Sequence, residues 1–128
     1  MGTAAANVVN LTSLTDKQFQ QAFVGNTVIV GPGAYLKNTS EPDTAEVYFA
    51  ADGTLAGKWL KPIAGTSQTD TGTYTVDADG KVCNHWKQWG DYCQYFYPIK
   101  DHYLMISTDQ EEMVAIPKTN IKKNNIIK

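Results

Sequence analysis

The sequence predicts an all-β protein: one antiparallel up-and-down barrel of about eight strands, with a single short α-helix near the N-terminus. Three observations carry this reading. From Asn26 onward, short runs of β-branched and aromatic residues are punctuated by turn dipeptides such as Asp52-Gly53 and Asp79-Gly80. No helical pattern separates those runs, so parallel crossovers are excluded and neighbours pair as hairpins. Hairpin follows hairpin without long returns, which favours a meander that curls round and removes its own edges.

The helix is expected over 15–24. Thr15 is a good N-cap, and Gln18 stands three residues later at capping-box spacing. Leu14 before the cap and Phe19 within the helix can form a hydrophobic staple. Phe19, Ala22 and Phe23 make one narrow apolar stripe, and Gly25 supplies the stop. So short a helix cannot stand alone and must lie against something larger.

The strands are expected at 27–30 with 34–37 as its continuation, 45–50, 54–60, 71–76, 81–86, 92–99, 103–107 and 113–117. Val47 and Phe49 alternate with Glu46 and Tyr48, the period of a strand with one buried face. The organisation is therefore an N-terminal segment (1–13), a barrel domain (14–117) and a lysine-rich tail (118–128). At 128 residues there is room for one domain and one core. Met1 to Ala6 lacks the charged and apolar regions of a signal peptide. Its three alanines suit the neighbourhood of a leader cleavage site, as expected of an exported protein.

Composition excludes several functions. All eleven basic residues are lysine; arginine, the usual reader of phosphate and guanine, is missing, which argues against nucleic acid. No apolar run approaches the ~20 residues of a membrane-spanning helix. Residues 118–128 hold Lys118, Lys122, Lys123 and Lys128 and no acid. The expectation for them is a solvated end, in preference to an electrostatic foot on an anionic surface.

Cys83 and Cys93, the only cysteines, mirror each other across one predicted hairpin turn. A cross-strand disulfide is the first reading, and it implies an oxidising compartment, periplasmic or secreted. With Cys83 opposite Cys93, residue 85 faces residue 91, and Cys83, His85, Cys93, Tyr95 and Tyr97 share a face. The rival reading is a zinc site from Cys83, His85, Cys93 and His102, although C-x-H-x7-C-x8-H is no familiar zinc spacing. A thiol enzyme would need the same cysteines unpaired. There is no G-x-S-x-G elbow, and Asp77-Ala78-Asp79-Gly80 reads as a turn rather than a calcium loop. No cofactor is implied.

Half of the fourteen aromatics, from Trp86 to Tyr103, fall within eighteen positions. Part of that cluster must be core. Trp89, at the tip in Lys87-Gln88-Trp89-Gly90-Asp91, either folds back over a barrel mouth or is offered to a ligand. The expected function is non-catalytic binding of a small apolar ligand or an envelope glycan by Trp86, Trp89, Tyr92 and Tyr95. The alternatives are a secreted effector or inhibitor that presents the Trp89 loop to a protein partner, and a metal or thiol enzyme.

Gly25-Asn26-Thr27, Tyr48-Phe49 with Asp52-Gly53-Thr54 and Gly57, and Gly72-Thr73-Tyr74 through Asp79-Gly80, Cys83, Trp86 and Cys93 form a recognisable series. It resembles a set of small bacterial secreted proteins with lipocalin-like β-barrels and a cysteine pair of fixed spacing. The resemblance covers roughly 14–106. It implies an exported barrel with a Cys83–Cys93 disulfide and brings no established activity. Tyr74 stands where that pattern has tryptophan, and the lysine-rich end has no counterpart. Lipocalins proper carry their Gly-x-Trp on the first strand, so their ligands are not carried over.

Overall fold

A computed structural model describes residues 12–30, 34–35, 45–60, 68–109 and 112–127. The first element among the described residues is helix α1 (Asp16–Phe23). Its capping box is formed: the Gln18 amide donates to Thr15 Oγ1 at 3.2 Å, and the Thr15 amide donates to Gln18 Oε1 at 2.9 Å. Two otherwise orphaned donors are satisfied in one exchange. Leu14 and Phe19 are both buried, as a staple requires. Gly25 then takes φ of +84°, a conformation that costs glycine little, and turns the chain into the sheet.

Among the described residues ten strands follow: β1 (Asn26–Val30), β2 (Ala34–Tyr35), β3 (Ala45–Phe49), β4 (Thr54–Trp59), β5 (Thr69–Val76), β6 (Val82–Trp86), β7 (Asp91–Ile99), β8 (His102–Ser107), β9 (Glu112–Pro117) and β10 (Ile121–Lys123). They form one antiparallel sheet in the order β10-β1-β3-β4-β5-β6-β7-β8-β9-β2. Residues 36–37, expected to extend β2, and residues 1–11 of the N-terminal segment lie outside the described residues.

The order shows how the barrel shuts. β1 pairs with β10 and β2 pairs with β9, so the ends of the sheet meet. Val28 faces Ile121 and Ala34 faces Met113, a register only two residues different. Hence β1 and β2 act as one interrupted stave, β9 and β10 as another, and ten strands make a nearly closed barrel of eight staves.

This corrects one expectation. The lysine-rich end is not a free tail, because Ile121–Lys123 is a strand of the barrel. Ile121 packs against the core while Lys122 and Lys123 point to solvent. Thr27, fully buried on β1, donates its hydroxyl to the Asn124 carbonyl at 2.7 Å and accepts from the Ile126 amide at 3.1 Å. Charge count alone missed this because three alternating residues suffice for an edge strand, and an outward lysine is compatible with one.

Alternation sends Val28, Val47, Phe49, Leu55, Tyr74, Val82, Phe96, Val114 and Ile116 inward. Helix α1 plugs one end, with Phe19 and Phe23 at 0% exposure. Phe19 meets Phe49 edge-on at 5.2 Å, and Phe23 lies 4.7 Å from Phe96 and 5.0 Å from Tyr103. The Leu14 amide donates to the Phe96 carbonyl at 2.7 Å and the Gly25 amide to the Phe49 carbonyl at 2.7 Å, pinning both ends of the plug to strands. The Asp52-Gly53 and Asp79-Gly80 turns lie at this closed end. The opposite ends of the strands, at Trp59, Trp86 and Tyr92, form the mouth.

Truncating the plug, Phe23→Ala, is expected to lower unfolding free energy by about 3–5 kcal/mol in urea titration. A loss under about 1 kcal/mol would mean the helix is not part of the core. Deleting residues 121–128 strips Thr27 of both partners and should cost about 1–3 kcal/mol or more. An unchanged urea midpoint would restore the free-tail reading.

Candidate functional site at the barrel mouth

All three tryptophans of the chain converge on the mouth. Trp59 ends β4, Trp86 ends β6, and Trp89 folds back from the β6–β7 turn between them. Its ring centroid lies 5.1 Å from that of Trp59 and 4.7 Å from that of Trp86. The stack depends on a glycine. A Cβ on Gly57 of β4 would stand 2.5 Å from the Trp89 ring and 2.7 Å from the Trp86 ring, so any side chain there displaces them.

The turn is held in place by Asp70 on β5, which is buried. Its Oδ2 accepts from the amides of Gln88 (2.7 Å) and Trp89 (3.0 Å), and its Oδ1 from the Thr71 amide (2.9 Å). Burial pushes this carboxyl up, but the three amide donors and the nearby Lys87 charge outweigh it and hold it below the ordinary aspartate value. A fixed anion thus anchors a turn whose own sequence would leave it free.

Behind the tryptophans lies a cavity of about 270 Å³. Its deep walls are apolar: Val28, Val47, Phe49, Phe96, Met105 and Val114. Nearer the mouth it is lined by Trp59, Trp86, Trp89 and Tyr92, with Asn84, Gln94 and Glu112 as the polar members. Tyr92 forms the rim: the residue is 42% exposed, yet its hydroxyl accepts from the Trp86 indole N–H at 2.9 Å. Burial of that hydroxyl pushes the Tyr92 phenol up, reinforcing the neutral form that any tyrosine holds at physiological pH.

Of the four residues expected to bind ligand, the structure brings Trp86, Trp89 and Tyr92 together around this cavity. Tyr95 is not with them. It is out of phase with Tyr92 and Phe96 on β7, so its ring points outward, and its hydroxyl donates to Asp79 Oδ2 at 3.4 Å near the closed end. Cys83 and Cys93 face each other across β6 and β7 and form a disulfide on the outer surface, S–S 2.08 Å. Neither therefore offers a thiolate. His85 is exposed on the outer face, 3.6 Å from Asp91, and His102 begins β8 at the far end of the barrel. Among the described residues no three His, Cys, Asp or Glu groups are placed to hold a metal ion.

Sequence reading missed Trp59, Asn84, Gln94 and Asp70. A signal for two of them existed. The alternation that places Cys83 and Cys93 outside places Asn84 and Gln94 inside, and an uncharged polar residue at an inward position asks for a partner. Nothing local marks Asp70 as the anchor of a turn 18 residues away. No protein-family model matches this chain, and neither does a curated protein or a solved structure.

Asp70→Ala should free the Trp89 turn, lowering stability by about 1–3 kcal/mol because three part-buried amides lose a charged acceptor. The wild type should behave likewise in acid. Since the folded carboxyl is the more acidic, its contribution is complete above the ordinary value of 3.8 and fades as pH falls through the lower folded value. Tryptophan emission followed from pH 5 downward is the check. An Asp70→Ala profile that overlays the wild type would remove Asp70 from this role.

Proposed function

We propose that this is a non-catalytic binding protein of an extracytoplasmic compartment, which takes a small apolar ligand into the barrel. The observation that carries the reading is the cavity itself: about 270 Å³, deep walls of aliphatic and aromatic side chains, and a tryptophan stack at its entrance. A pocket of this kind gains affinity from apolar area removed from water and selectivity from a few polar groups.

The envelope-glycan variant is less well supported. Sugars stack on open aromatic faces, whereas Trp86 is 5% exposed and Trp89 is packed between two rings. The effector or inhibitor reading draws on Tyr92 and Leu60, large apolar residues exposed at the mouth end. Against it stands Trp89, which is drawn inward by Asp70 instead of being presented. The compartment is inferred from the disulfide, since such bonds persist where thiols are not kept reduced.

Titration with the neutral two-ring fluorophore 1-aminonaphthalene tests the reading. Its emission should rise and tryptophan emission fall on saturable binding. Trp89→Ala should weaken binding about tenfold or more, while the outward Tyr95→Ala leaves it unchanged. Absence of saturable binding in the folded wild type, or equal losses in the two variants, would overturn it.

A further inference from the structure

The cavity carries polar chemistry that a purely oily ligand does not use. On its β6–β7 wall, two hydrogen-bonded pairs of side chains stand side by side. The Trp86 indole N–H donates to the Tyr92 hydroxyl at 2.9 Å, and Asn84 stands opposite Tyr92 in the strand register. Asn84 Oδ1 accepts from Gln94 Nε2 at 3.3 Å. That leaves Gln94 Oε1. Gln94 is 2% exposed, and this oxygen has no hydrogen-bond partner among the described residues.

A second orphan lies across the barrel. Trp59 is on β4, three staves round from β7, and its indole Nε1 is also buried, without a partner among the described residues. Both residues line the same cavity. Buried polar groups are almost always satisfied, and each exception costs stability. Here the exceptions are complementary, one acceptor and one donor, on two residues that line one cavity. The terminal torsion of a glutamine is soft, so its carbonyl can turn toward an occupant.

We infer that the cavity takes an uncharged aromatic of about two rings that bears both a hydrogen-bond donor, for Gln94 Oε1, and an acceptor, for Trp59 Nε1. This rests on the binding reading above and specifies its ligand. Size follows from volume: a cavity of roughly 150 Å³ holds benzene, and this one is about 270 Å³. Neutrality follows from the lining. The apolar deep walls would leave a buried charge unpaired, and Glu112 at the rim opposes an anion. Depth orders the groups. Gln94 sits one inward position below Tyr92, and Trp59 is at the mouth, so the ligand's donor points inward and its acceptor lies toward the rim.

Two probes of one shape test this: 4-quinolone, whose ring N–H and carbonyl point in opposite directions, and naphthalene, with neither. Calorimetry on the wild type should give 4-quinolone an advantage of about tenfold or more, despite its greater cost of desolvation. The Trp59 indole N–H resonance should move downfield with 4-quinolone only. In Gln94→Met and in Trp59→Phe the advantage should shrink to about threefold or less, with naphthalene affinity largely kept. Equal binding of the probes by the wild type, or an advantage intact in both variants, would overturn the inference while naphthalene binding upholds the cavity. If neither probe binds the folded wild type, the binding reading falls as well. The wild-type comparison and its indole signal decide the matter even if a variant does not fold.

Discussion

The barrel interior is wider than its own strand side chains fill, and two phenylalanines from outside the sheet decide where the excess goes. Small barrels sit near the limit at which inward side chains just meet. Here α1 inserts Phe19 and Phe23 at one end, and Phe49, Tyr74, Phe96 and Tyr103 close round them. The remaining space is therefore gathered at the other end as one cavity. A helix too short to be stable alone draws its stability from that contact, and the sheet in turn gains a floor.

Closure imposes a second condition, which the C-terminal residues meet. β1 would be an edge on one side without β10, since β2 rather than β1 takes up β9. The lysines there serve the sheet in the way outward charges commonly do on exposed strands, keeping its outer surface soluble. Their positive charge is compatible with a strand because period-two alternation sends Ile121 inward and leaves Lys122 to water.

The mouth is organised by contacts between residues far apart in the chain. Asp70 on β5 orders the β6–β7 turn, Gly57 on β4 makes room for it, and the Cys83–Cys93 bond ties the two strands that carry it. Trp89 is consequently a wall of the cavity and not an exposed tip. The Trp86–Tyr92 and Gln94–Asn84 hydrogen bonds lie just beneath, and hydrogen-bonding capacity is left over beside them.

Much of the fold was legible in the residues, because hairpin turns and period-two alternation are local and the capping box spans only four positions. Strand ends fell within two residues of expectation wherever both are described, and the register of Cys83 on Cys93 followed from symmetry about one turn. The site was legible only in part. Trp86, Trp89 and Tyr92 stood out by composition, but Tyr95 was grouped with them by proximity in sequence when alternation places it outside. Trp59 and Asp70 were passed over because each looks ordinary on its own strand. By itself the sequence determined the class of fold, the plug helix and the hairpin, since all of these arise from interactions between near neighbours. Tertiary structure alone decided the strand role of the C-terminus, the inward turn of Trp89 and the meeting of Trp59 and Gln94 in one cavity, since each depends on which staves barrel closure brings together.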